Sequence, residues 1–115
     1  MPAARALATY RRMIEAFGET VTLRRLNPSP AAPTEVTMRA RVTAYDPVEL
    51  VEGVQQGERL VVLLAEDIGS FPVPIEMGGR DRIVIRGTVT TPVAVDDSTR
   101  RIGSVLIAYG IRVIG

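Results

Sequence analysis

The sequence predicts a mainly β fold: a small β-barrel or sandwich of about six strands with one N-terminal amphipathic helix. Three observations carry this. Ala3, Ala6, Leu7, Tyr10, Met13, Ile14 and Phe17 recur at helical spacing, and a glycine and an alternating strand follow at once. Hydrophobic residues make up 46% of the chain but aromatics only 4%, so the core is Val, Ile, Leu and Ala, as in packed sheets. Turn signals then recur at spacings that suit a compact β domain.

The helix spans 3–17, with Arg5, Thr9, Arg11, Arg12 and Glu15 off the apolar stripe. Gly18 follows where a left-handed C-cap is cheapest. The stripe either covers an open end of the sheet or docks on a neighbouring subunit. Thr20-Val21-Thr22-Leu23 alternates at period two, as a half-buried strand does. Pro28, Pro30 and Pro33 cannot sit inside a sheet ladder, so a loop comes next.

Glu35 to Tyr45 is the cleanest strand. Val36, Met38, Ala40, Val42 and Ala44 share one face, and Thr37, Arg39, Arg41, Thr43 and Tyr45 the other. A slip of one residue would bury both arginines, which fixes the register. A long loop is expected over 46–57. Arg59 to Ala65 is apolar on both faces, as in a doubly covered strand. A second irregular stretch covers 67–80. Arg82 to Arg86 is a short strand, Gly87-Thr88 a tight reversal or bulge, and Val89 to Val95 the next strand. Asp96-Asp97-Ser98 is a turn, and a last strand runs from Arg101 to Ile114 with bends at Gly103 and Gly110. The 115 residues form a single domain, without internal repeats.

Composition excludes several chemistries. The chain has no cysteine and no histidine, so disulfides, thiolate nucleophiles, Cys/His zinc sites and Ser-His-Asp triads are ruled out within one chain. The carboxylate pairs Glu49/Glu52 and Glu66/Asp67 have no Lys or His to support them, which argues against catalysis. No metal-ligand spacing is present. Gly78-Gly79-Arg80-Asp81 reads as a turn into a strand rather than a phosphate cradle, because no helix follows. No catalytic, cofactor-binding or metal site is expected. The longest apolar run, Leu60 to Ala65, is far short of the ~20 residues that cross a bilayer, and a soluble, intracellular protein is expected.

All 14 basic residues are arginine, and the net charge is only +1. Its distribution is more informative: residues 1–45 carry +4, 46–67 carry −5 and 68–115 carry +2. The pairs Arg11/Arg12, Arg24/Arg25 and Arg100/Arg101 suit ion-paired faces better than nucleic-acid grips, which usually add aromatic platforms; this chain has five aromatics. Arg11, Arg12, Arg24, Arg25, Arg39 and Arg41 are the candidate contacts to neighbouring subunits or partners. The acidic block suits a wall along which a polyanion slides without binding. Such a wall needs several copies around an axis.

Three stretches resemble the small neck proteins of tailed phages, the head–tail joining or head-closure (stopper) family. They are the run from Met13 through Gly18 to Arg25, Arg39-Ala40-Arg41-Val42, and the run from Gly79 through Gly87 and Val95 to Tyr109-Gly110-Ile111-Arg112-Val113. The Pro-rich loop and the absence of lysine depart from the family's pattern. The resemblance implies a structural, non-enzymatic ring protein, a hexamer, at the virion neck. It would be assembled in the bacterial cytoplasm between a portal or adaptor ring and a tail or tail-terminator ring. It would need no cofactor, and double-stranded DNA would pass through without sequence-specific binding. The loop between the second and third strands would face the channel, which selects Glu49, Glu52, Gln55 and Gln56. Ring neighbours would also cover exposed edge strands. The alternatives are a tail terminator or other neck adaptor, or a free-standing β-barrel that binds nucleic acid.

Overall fold

The computed structural model describes residues 3–44, 58–69, 71–77, 79–97 and 100–114. Helix α1 covers Ala3–Phe17. The strands are β1 (Glu19–Arg25), β2 (Thr34–Ala44), β3 (Arg59–Leu64), β4 (Asp81–Ile85), β5 (Thr88–Asp96), β6 (Arg101–Ile102), β7 (Val105–Leu106) and β8 (Ala108–Ile114). Six of them close into an antiparallel barrel in the order β1-β2-β3-β8-β5-β4, with β4 pairing back onto β1. Closure corrects one expectation: the barrel has no edge strand for a ring neighbour to cover.

Alternation explains the barrel. Val21 and Leu23, Met38 and Ala40, Val61 and Leu63, Ile83 and Ile85, and Ile111 and Val113 all point inward and are buried. Each strand contributes every second residue, as a pleated wall requires. β5 changes parity midway: Thr90 and Pro92 are buried, and after a register shift between Pro92 and Ala94 it is Val95 that packs on the core. That irregularity is where a proline can enter a barrel wall.

β1 runs from a Glu19 end of the barrel to an Arg25 end. Pairing places Thr34 and Asp81 at the Arg25 end, and Ala44, Arg59 and Val113 at the Glu19 end. A short 3-10 helix, Ala65–Ile68, leaves β3 at the Arg25 end. Ile68, Phe71 and Ile75 from this connection join the core cluster. The stretch expected as a second irregular loop is therefore partly interior, a plug held by apolar burial.

α1 lies against the outside of β2 and β3, not over an open end. This explains why β3 is apolar on both faces: Val61 and Leu63 fill the barrel, while Val62 and Leu64 on the outer face are also buried. Ala6 and Ile14 are the buried residues of the helix, and Phe17, at the end of its stripe, is 71% exposed. Burying a large aliphatic side chain is worth about 1.5–3 kcal/mol, so Ile14 is a principal anchor of α1.

Gly18 is not a left-handed cap; its role is space. Its N–H donates to the Ile14 carbonyl at 2.7 Å, and a Cβ there would lie 2.3 Å from that oxygen and 2.8 Å from the Ala40 carbonyl oxygen. The β4–β5 reversal falls at Arg86-Gly87, one residue earlier than the sequence pattern places it, with φ 49° and 79°. Both values suit the primed turn that a two-residue hairpin favours. The expected long terminal strand is broken: β6 and β7 form a separate hairpin turning at Gly103 (φ 61°), and β8 begins at Ala108. Gly110 lies within β8 and pairs with Val62 and Asp96 rather than marking a bend.

Candidate interaction surface

The six candidate arginines have different fates. Arg24 and Arg25 are neighbours on β1, so their side chains leave opposite faces. Arg24 points outward and its Nε donates to Glu35 at 2.7 Å, its register partner on β2. Arg25 shares parity with Val21 and Leu23 and is buried. Its Nε and Nη2 donate to the two oxygens of Asp81 at 2.7 and 2.8 Å, and Nη2 also reaches the Pro74 carbonyl at 3.0 Å. The guanidinium lies 5.4 Å from the Phe71 ring centroid. The hydrogen bonds to Asp81 raise the Arg25 pKa further. As a contact to another subunit, Arg25 is thus corrected: it pins the plug to the β1–β4 seam.

Arg11 bonds to Glu66 and, at 2.9 Å, to Asp67, tying α1 to the 3-10 helix. The carboxylate pair Glu66/Asp67 is accordingly engaged by a cation. Arg12 is exposed on the helix. Arg39 donates to the Gly18 carbonyl at 2.6 Å and the Glu15 carbonyl at 3.3 Å, covering the helix C-terminus where a cation is favoured. Arg41 lies 5.4 Å from the ring centroid of Phe17. Glu49, Glu52, Gln55 and Gln56 lie outside the described residues. The chain enters and leaves their segment at Ala44 and Glu58, both at the Glu19 end.

The glycine turn before β4 already meets a carboxylate of its own chain. Glu76 accepts from the Arg80 N–H at 3.1 Å and from Arg80 Nη2 at 2.8 Å. These bonds pull the Glu76 pKa down to about 2. Near the Glu19 end, Arg86 makes a two-pronged bond to Glu19 and lowers its pKa. Arg112 Nε lies 2.9 Å from the buried Glu58 carboxylate, a close ion pair without an aligned hydrogen bond.

Beside the plug, a groove of about 440 Å³ is lined by Val73, Pro74, Ile75, Met77, Val95, Asp97 and Tyr109. Val73 is 58% and Met77 59% exposed, so apolar side chains stand at its rim. Burial and the nearby Asp97 charge raise the Tyr109 pKa, keeping the hydroxyl protonated at neutral pH. Sequence reasoning missed this groove because its members come from three separate segments. Among the described residues, no three carboxylates converge as a metal site, and no helix is long and apolar enough to cross a membrane.

These features define a class by architecture: a plugged, closed six-stranded barrel with a helix on its wall and an apolar-rimmed groove beside its plug. Comparisons with family models, curated proteins and solved structures find no match to this chain.

Proposed function

We propose that this chain is a structural ring subunit of the neck of a tailed phage or phage-like particle, a head–tail connector of the stopper type. It closes the DNA channel below the portal and provides the surface to which the tail attaches. The observation that carries the reading is the division between the barrel ends. The Arg25 end is filled by Ile68, Phe71 and Ile75, while the acidic connection, with Asp46, Glu49 and Glu52, is rooted at the other end between Ala44 and Glu58. An interior filled with side chains leaves the outer surface and connecting segments as the working parts. A negative segment carried by several copies around an axis would repel DNA and let it slide.

The activity needs no catalysis and no cofactor. Neighbouring copies, a portal or adaptor ring and a tail ring are the partners, and DNA passes without sequence readout. Electron microscopy of purified necks tests this directly. The expected result is a ring of this chain with residues 46–57 facing the axis. Particles lacking the protein should be full-sized heads that lose DNA or fail to acquire tails. Mutant particles that keep both would overturn the reading, and salt-dependent binding to single strands by the isolated chain would favour a nucleic-acid module instead.

A further inference from the structure

We propose that copies of this chain meet head to tail, with Phe17 of one copy entering the groove between Val73, Met77 and Tyr109 of the next. The inference rests on the ring reading, which requires two unlike patches on each subunit, and it names those patches. A lone exposed apolar residue is ordinary, but Phe17 is held in place. The Gly18 N–H bonds back to Ile14, Arg39 bonds the Gly18 and Glu15 carbonyls, and Arg41 stands against the ring. An aromatic fixed before contact loses little freedom on binding, which makes it an effective anchor.

The groove complements this knob in shape and charge. Ile75 and Val95 contribute apolar lining, and the exposed Val73 and Met77 form a rim that can adapt. Its volume of about 440 Å³ is ample for a phenyl ring, since ~150 Å³ holds benzene. Asp97 places a carboxylate in the lining, opposite in sign to the Arg39 and Arg41 guanidiniums that flank Phe17. Arg101 is also near and donates to the Asp97 backbone carbonyl. One subunit cannot satisfy its own patches. Phe17 precedes the start of β1, whereas Pro74 is bonded to Arg25 at its end, a separation of roughly 20 Å along the strand.

The absence of cysteine makes the test clean. The full-length Ala16→Cys/Met77→Cys double variant keeps Phe17 and puts a thiol on the exposed residue beside it; oxidised at high concentration, it should give a ladder of disulfide-linked multimers, and each single variant should stop at dimers. By sedimentation, Phe17→Ala should weaken self-association roughly thirtyfold, as loss of an anchor side chain does. Arg41→Glu should weaken it too, with Asp97→Arg restoring it. Circular dichroism checks that each variant is folded. A ladder ending at one fixed number supports both the contact and the ring; one that lengthens without limit supports the contact and removes the ring. Absence of a ladder overturns the contact, and so does cross-linking of the Met77→Cys variant to another neck protein in its place. Electron microscopy of the same necks then shows whether the ring stands without it.

Discussion

Arg25 and Asp81 are register partners on β1 and β4, and they are joined by two hydrogen bonds across the seam that closes the barrel. Asp81 also accepts the Glu76 N–H at 2.7 Å, so one carboxylate holds the seam and the plug together. Removing one member of a buried ion pair strands the other, at a cost of about 3–5 kcal/mol. Asp81→Ala should lower unfolding free energy by that order in urea titration. The double variant Arg25→Met/Asp81→Leu should recover most of it, because it leaves no buried charge behind. A double variant as unstable as the single one would show that the Pro74 and Glu76 bonds matter more than the charge pair.

Ile14 is the test of how firmly α1 belongs to the barrel. Ile14→Ala should destabilise the chain by about 2–5 kcal/mol, the usual range for a truncated buried aliphatic. A chain beginning near Gly18 would uncover Val62 and Leu64 and should aggregate. A folded, stable monomer from that truncation would instead make the helix a detachable docking arm.

Two glycines separate rigid from yielding neighbours. A Cβ on Gly18 meets two carbonyl oxygens of the backbone, whereas a Cβ on Gly110 meets the Arg100 guanidinium at 2.6 Å. Backbone cannot step aside, so Gly18→Ala should cost about 1–3 kcal/mol by overpacking. Gly110→Ala should cost less, since Arg100 can swing away. Thermal melts of the two variants give the comparison.

Acid should weaken the fold through Glu19 and Glu76. Both have folded pKa values below the ordinary carboxylate value of 4.5, Glu76 at about 2, because arginine side chains bond their ionised forms. Each therefore contributes stability that is fully present above about pH 4.5 and lost as pH falls through its folded value. The urea midpoint should be insensitive to these two groups between pH 5 and 7 and drop below pH 4.5. Arg80→Ala and Arg86→Ala should each shrink that drop.

The helix stripe and the strand parities were legible because each depends on one local period. The parity that put Val21 and Leu23 inward also put Arg25 inward, yet a charge at such a position reads as exposed until its partner is known. That partner, Asp81, is 56 residues away. Ile68, Phe71 and Ile75 could not be read as core because the plug has no repeating geometry; each enters the barrel from an irregular backbone. Gly103 is legible as a bend, but apolar residues on both sides of it make the bend read as a kink within one strand, and its positive φ shows a full hairpin reversal instead. The Phe17 exposure was hidden by its place on the stripe, since periodicity tells which side a residue faces and not where the barrel wall stops.

The closed circuit of six strands has a consequence for any assembly built from this chain. With every barrel strand already paired on both sides, copies cannot join by adding a strand to the barrel, and amyloid-like stacking has no ready template on the barrel wall. A neighbour would meet the barrel wall through side chains, so the slowest-exchanging barrel amides should be the same before and after assembly.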